Sequence, residues 1–289
     1  MDQQLQVFVT VVEKKNFSHA AEELHMTQPA VSQYVKLFEQ RYGVKLLERS
    51  NKFVRLNKAG EIVYHHAKEI LALYSKMKYL VDDLISNADG TLKIGASYTY
   101  GEYELPPIIG KMHELYPLIK PNIFIGNTTE VVELVKSHQL DVGLVEGEVI
   151  DSSLQIEPIA EDRMCIVMPK DHHLIQGRKE LAFSELANET WIVRERGSGT
   201  RKVADKLFDS FEYKPDKILE FGSIQLIKSA VESGLGISVL SESAIKKELS
   251  VGSLGSIYLK DFIIKRNFSI VLNSPFQTKA LEVFLSLLR

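Results

Sequence analysis

The sequence predicts an α/β protein that begins with an all-α winged helix-turn-helix and a long linker helix. Three observations predict it. Two capped helix starts and one tight turn fall between Asn16 and Gly43. An unbroken amphipathic run follows, from about residue 58 to 87. From residue 89 onward, apolar runs of strand length alternate with helical stretches.

The first helix carries Leu5, Phe8, Val9 and Val12, the spacing of a single buried face. Ser18 is the expected N-cap of a second helix holding Ala20, Ala21 and Leu24. Thr27 caps a third, with Pro29 in its first turn, where a missing N–H costs nothing. Gly43 stops it. Two short helices joined by His25-Met26 match a motif whose second helix enters the DNA major groove. KLLERSNKFVRLN then reads as two short strands around Ser50-Asn51-Lys52, a basic hairpin wing.

Asn57 is the expected cap of a helix from Lys58 to Asn87. Val63, His66, Ile70, Leu73, Met77, Leu80 and Leu84 recur there at alternating steps of three and four. That is a heptad seam for a partner helix, and packing within its own domain is the alternative. Later strand-length runs include LKIGAS, NIFIG, DVGLV, RMCIVM, WIVR, ILEF, GISVL and FSIVL, which predict mostly parallel sheets. RMCIVMPKDHH and KRNFSIVL fit crossovers between two α/β lobes. The expected division is a reader over 1–58, a linker over 59–88 and a ligand domain over 89–289. Lobe 1 takes about 89–165 and 267–289, and lobe 2 about 166–266.

Charge locates the reader. Residues 1–60 hold nine Lys/Arg against six Asp/Glu, so the net charge of −3 leaves the remainder at −6. Between Lys36 and Lys58 the basic surplus is five, where phosphates would be met. Gln28, Ser32, Gln33 and Lys36 are the candidate base-edge residues, and Pro29 could touch a thymine methyl. Arg49, Lys52 and Arg55 suit phosphates. Ser18 and Thr27, at the two helix starts, complete the DNA-facing set.

Two polar clusters follow strands in the second region: Ser97-Tyr98-Thr99-Tyr100, and Gly197-Ser198-Gly199-Thr200-Arg201. Hydroxyls, backbone N–H groups and an arginine at two helix starts make an anion site, whereas the bland reading is caps and turns. Arg201 would add a bidentate contact. Glu146, after DVGLV, would line the same cleft and discourage a highly charged anion.

Other chemistries find little support. HExxH, GxSxG, a Walker loop and a strand-linked GxGxxG are all missing, which argues against an enzyme. His65-His66 and His172-His173 are adjacent pairs that should point apart, so neither a metal nor a cofactor is expected. Cys165, the single cysteine, sits in an apolar run and reads as a core residue. With neither an apolar run of membrane-span length nor a leader-like N-terminus, a cytoplasmic protein without membrane contact is expected.

The chain as a whole resembles the LysR-type transcriptional regulators. The carriers are FSHAAEELHMTQPAVSQYVKLFEQRYGVKLLER, the wing end VRLNKAG, and IGASYTYGEYELP. RERGSGTR and EFGSIQLIKSAVESGLGIS add to these. Asn57 stands where the family usually has Thr, and caps equally well. Ile224-Gln225 stands where many relatives carry Asn-Glu facing the ligand, which leaves the ligand class open. The resemblance implies a two-lobed, type 2 periplasmic-binding-protein-like effector domain. Ser97, Thr99 and Thr200 match effector-holding positions, with Tyr100, Ser198, Arg201 and Gln225 beside them. It also implies double-stranded operator DNA, a small-molecule effector, RNA polymerase and a homotetramer built as a dimer of dimers as partners. GASYTYGEY and RERGSGTR look most like relatives that govern carbon or sulfur assimilation, as activators or repressors, which suggests an anionic metabolite, a small organic acid or sulfur compound, as the co-inducer. The competing readings are a solute-binding protein and an effector-independent DNA-architectural protein. The fused basic reader tells against the first.

Overall fold

The computed structural model describes residues 2–50, 53–83 and 88–289, and the chain divides into two compact units, residues 1–82 and 83–289. In the first unit α1 (Asp2–Lys14), α2 (Phe17–Glu23) and α3 (Gln28–Tyr42) precede a hairpin of β1 (Leu47–Ser50) and β2 (Phe53–Leu56). The helix α4 (Lys58–Asp83) follows. Leu5, Phe8 and Val9 of α1 meet Ala20, Ala21, Val31, Val35 and Phe38 in one core, closed by Leu46 and Leu47. Phe8 and Phe38 lie 5.3 Å apart between ring centres.

One cap is displaced from its expected position. Asn16, not Ser18, caps α2: its backbone is extended (φ −158°, ψ 128°) and its Oδ1 accepts the N–H groups of Ser18 (2.7 Å) and His19 (3.2 Å). Both residue types cap well, but the earlier start draws Phe17 into the helix, where it packs against the core. Thr27 caps α3 through Ala30 N–H, and Gly43 closes it in the left-handed region at φ 67°.

Wing and reading helix are joined by one buried carboxylate. Glu39, on the inner face of α3, accepts the backbone N–H groups of Leu46 (3.0 Å) and Leu47 (3.2 Å) and pairs with Arg49 at 2.7 Å. Leu47 opens β1, so this one side chain fixes where the wing leaves the helix. The strands pair from Leu47↔Leu56 to Ser50↔Phe53, with Asn51 and Lys52 outside the described residues.

Asn57 caps α4, accepting Gly60 N–H at 2.8 Å. The helix is two-faced. Val63, Ala67 and Leu71 pack on the unit's own core. Ile70, Leu73 and Met77 of the seam stand about half exposed, beside Ile62 and Val81. Leu84, the last seam position, lies outside the described residues.

In the second unit β3 (Gly90–Ser97) leads through a π-helical turn (Tyr100–Glu104) into α5 (Leu105–Leu115). β4 (Ile119–Gly126), α6 (Thr128–Lys136), β5 (Val142–Glu146) and the long β6 (Gln155–Pro169) come next. β7 (Glu180–Leu181), β8 (Trp191–Arg194), α7 (Gly199–Ser210), β9 (Ile218–Phe221) and α8 (Ile224–Glu232) continue the chain. β10 (Ser238–Ser241), α9 (Glu242–Val251), β11 (Leu254–Leu259), β12 (Lys265–Leu272) and α10 (Lys279–Leu288) complete it.

The large sheet runs β4-β3-β5-β12-β6-β11-β7, with β10 also on β6, while β8 and β9 pair separately. The expectation of mostly parallel sheets needs correcting. β3 is parallel to β4 and β5, but β12 is antiparallel to β5 and β6, as are β10 and β11 to β6. Adjacent apolar runs do not reveal direction, and β6 and β12 are return crossings. Residues 155–163 of β6 pair with β12, and residues 164–169 pair with β10 and β11. One strand therefore serves two cores. Leu92, Ile94, Leu144, Phe268 and Ile270 build the first; Met164, Ile166, Trp191, Val193 and Phe208 build the second. Cys165 lies buried on this shared strand, and burial pushes its thiol up to about 12. Among the described residues, no helix is long and apolar enough to cross a membrane.

Replacing Glu39 with Ala is expected to destabilise the first unit by about 3 kcal/mol, because two buried N–H groups and Arg49 lose their acceptor. Urea unfolding of the full chain measures it, with Glu39→Gln falling in between. A cost under about 1 kcal/mol would show that the wing is held by other contacts.

Candidate DNA-reading face and ligand cleft

The buried side of α3, Val31, Val35, Phe38 and Glu39, turns its opposite side outward. Gln28, Pro29, Gln33 and Lys36 are exposed there, and Ser32 is half-buried. Gln28 Nε2 donates to Ser32 Oγ at 3.2 Å, one turn on, which orients its amide along the helix. Ser18 and Thr27 are exposed at the starts of their helices. Arg55 is exposed and stacks over Phe53 at 4.8 Å. Arg49, expected at a phosphate, pairs with Glu39 and lies 5.0 Å over the Phe17 ring. Its charge is largely matched within the unit. Lys52 lies outside the described residues.

In the second unit the expected ligand residues converge at the carboxyl ends of β3, β5 and β8, where doubly wound sheets hold ligands. At their centre is a residue the sequence reading passed over, Arg266 of β12. Its guanidinium is buried and four side chains surround it. Nε pairs with Asp162 at 2.7 Å, Nη2 donates to Thr99 Oγ1 at 2.9 Å, and Nη1 donates to Thr200 Oγ1 at 2.9 Å. Nη1 also lies 3.2 Å from Glu146 Oε1, to which the Thr200 hydroxyl donates. Thr99 and Thr200 thus come together as expected, with Arg266 between them.

The second lobe supplies the rest. Ser198 caps α7 through Thr200 N–H, and Gly199 packs against Glu146 so closely that a Cβ would sit 2.6 Å from Glu146 Cγ. Only glycine fits there. Arg194 is fully buried, forked on Glu195 (2.7 and 2.8 Å), with its guanidinium 4.4 Å over the Tyr98 ring. Lys228 of α8 is buried, pairs with Glu248 at 2.6 Å and faces the Tyr103 ring at 5.2 Å. Burial opposes the Lys228 charge, yet Glu248 and the Tyr103 hydroxyl hold its ammonium above the usual range. Burial also pushes the Asp162 carboxyl up, against the pull of Arg266 and the Ser241 hydroxyl.

Ser97 Oγ, Glu146 Oε2 and Arg194 Nη1 are buried here without a hydrogen-bond partner, as is Glu248 Oε2 beside Lys228. Orphaned buried polar atoms are rare in folded proteins. Other expected ligand residues have partners of their own or lie exposed. Arg201 is committed to Asp205 (2.8 Å), Glu220 (2.7 Å) and the Arg194 carbonyl (3.0 Å). Tyr100 packs edge-on against Phe268 in the first-lobe core, its phenol pushed up to about 12 by burial and by Glu104. Gln225 is exposed in the first turn of α8. Alternation along KRNFSIVL puts Arg266 on the same face as Phe268 and Ile270, and that signal could have found it.

The adjacent histidines also depart from expectation. His65 and His66 both reach Glu69 (3.5 and 2.9 Å), because a carboxylate three to four residues on sits between them. The ligand-type atoms of His172, His173 and Glu189 likewise lie within 4.8 Å of one another.

A helix-turn-helix with an outward-facing second helix, and a separate α/β unit with a buried polar cluster between two cores, fit a DNA-binding regulator that carries its own ligand domain. Residues 3–61 match the bacterial regulatory helix-turn-helix protein model of the lysR family, and residues 86–289 match the LysR substrate binding domain. The chain belongs to the LysR family of transcriptional regulators. It is 41% identical over 287 residues to the HTH-type transcriptional regulator CysL of Bacillus subtilis, covering 99% of this chain and 95% of that one. A probable RuBisCO transcriptional regulator of Gracilaria tenuistipitata is 33% identical, with 97% and 93% covered. The regulatory domain of Synechocystis CcmR, solved in complex with 2-PG, aligns with TM-score 0.64 and 27% identity over 69% of this chain and 96% of that domain.

Arg266→Ala is expected to destabilise the second unit by about 3–5 kcal/mol, since Asp162 and Glu146 would be left buried without their cation. Urea denaturation of the full chain reads this. A loss below about 1 kcal/mol would mean that water or relaxation replaces the guanidinium.

Proposed function

We propose that the chain reads an operator through α3 and the wing, and that a small effector bound between the lobes of residues 89–289 controls its action on transcription. The observation that carries this reading is the set of three unpartnered buried polar atoms in the cleft of a chain that also presents a polar reading helix. Domain limits of 1–58 for the reader, 59–88 for the linker and 89–289 for the effector domain accord with it.

Gln28, Ser32, Gln33 and Lys36 are assigned to base edges, Pro29 to a thymine methyl, and Lys52 and Arg55 to phosphates. Ser97, Glu146 and Arg194 are assigned to the effector, with Thr99, Ser198 and Thr200 shaping its floor. The half-exposed Ile70, Leu73 and Met77 on α4 support pairing of linker helices between copies, and a dimer of dimers as the assembly. Its role is regulatory and not enzymatic, in the cytoplasm, with RNA polymerase as a further partner. CysL, RuBisCO regulators and CcmR as relatives favour a target in sulfur or carbon assimilation.

Gel shifts on the DNA upstream of the neighbouring operon test the reader. Gln28→Ala should cost about 1–3 kcal/mol on the operator and little on unrelated DNA. Lys52→Ala should weaken all sequences alike and lower the salt slope by about one phosphate. Equal operator affinity for Gln28→Ala at fixed salt removes Gln28 from the reading set. Thr200→Val, which strips the hydroxyl between Arg266 and Glu146, is expected to abolish the effector response of the operator complex. An unchanged response places the effector elsewhere.

A further inference from the structure

The charges around the cleft restrict what can enter it. Each buried cation already has a carboxylate of its own: Arg194 has Glu195, Lys228 has Glu248 and Arg266 has Asp162. Glu146 is the carboxylate left over. It shares Arg266 through Oε1 at 3.2 Å, is almost wholly buried, and its Oε2 has no donor. With Glu102, which acts on Lys228, Arg194 and Glu146, five carboxylates stand against these three buried cations. A dianion would lie beside the buried Glu146 and Asp162, where each buried cation is already paired with a carboxylate.

The unpartnered atoms point the same way. Glu146 Oε2 is an acceptor that needs a donor, best a charged one. Arg194 Nη1 is a donor that needs an acceptor, and its other nitrogens are held by Glu195 while Tyr98 covers one face. Ser97 Oγ can serve either side. Ser97 ends β3, which runs parallel beside β5, whose last residue is Glu146. Tyr98, the next residue, stacks on Arg194. Hence the three atoms frame one site, with a negative end at Glu146 and a positive end at Arg194.

We infer that the effector is a small zwitterion of the amino-acid kind, its ammonium group on Glu146 Oε2 and its carboxylate on Arg194 Nη1, with Ser97 Oγ completing the shell. This inference rests on the reading of the cleft as the effector site. Such a ligand satisfies these three orphaned atoms and brings no net charge into a site whose buried carboxylates already outnumber its buried cations. It also sets specificity: a hydroxy acid of the same skeleton keeps the carboxylate but offers Glu146 only a neutral hydroxyl.

Calorimetry and thermal shift on the full chain test this with three probe sets. They are the common amino acids, their 2-hydroxy-acid counterparts, and the dianions sulfate and hydrogen phosphate. At least one amino acid should bind ten times or more tightly than its hydroxy acid. Glu146→Gln, which keeps the shape and one oxygen, should abolish that preference. Ser97→Ala removes a hydroxyl that bonds nothing, so it should fold normally and bind the same amino acid several-fold more weakly. Tighter binding of a dianion than of any amino acid overturns the zwitterion while leaving the cleft reading intact, provided that Ser97→Ala weakens the dianion. Binding by any class that neither Glu146→Gln nor Ser97→Ala alters overturns both, as does failure of all three sets to bind.

Discussion

The second unit is organised around one buried arginine. Arg266 sits on β12, in the middle of the large sheet, and its guanidinium reaches residues that come from distant parts of the chain. Thr99 follows β3, Glu146 ends β5, Asp162 lies on the shared strand β6, and Thr200 opens α7. Taking that cation out of water is costly, and only the full ring of partners compensates for it. The ring therefore couples the two cores: when it closes, the ends of β3 and β5 and the start of α7 are held at one depth. The cleft is built on that floor. The same floor leaves Glu146 half satisfied, with Oε1 on Arg266 and Oε2 without a donor.

A related device operates in the first unit at smaller scale. Glu39 is a charged residue placed on the inner face of a reading helix, where an apolar residue would ordinarily pack. It accepts two backbone N–H groups that enter the wing and pairs with Arg49, so the wing's position follows the helix. In both units a buried charge ties together elements that hydrophobic packing alone would leave free to slide. Hydrophobic burial is non-directional, whereas hydrogen bonds to a buried charge are directional and expensive to break.

Much of this was legible along the chain. Helix starts and stops in the reader come from short-range chemistry: Thr27, Pro29, Gly43 and Asn57 act on neighbours within three residues, and all four behave as their types dictate. The single miscast cap, Ser18, arose because Asn16 competes for the same helix and local rules do not rank two good caps. The seam on α4 was visible as a period, but only its outer part is open to solvent; Val63 packs on its own core. Ser97, Thr99, Glu146 and Thr200 could be placed near one another because each ends or follows a strand or opens a helix.

What sequence determined by itself is what local periodicity and capping decide: the elements, their order, the basic reader and the approximate place of the cleft. Tertiary structure alone decided which way the strands run and which charges meet. Direction in a sheet depends on how the chain returns, and β6 and β12 return antiparallel through both lobes. Partners of a buried charge are separated by up to 167 positions, as Thr99 and Arg266 are, beyond the reach of any local pattern. For the same reason Arg201 looked like the ligand's arginine from its neighbours. Folding instead gave it Asp205 and Glu220, and left the unsatisfied nitrogen on Arg194.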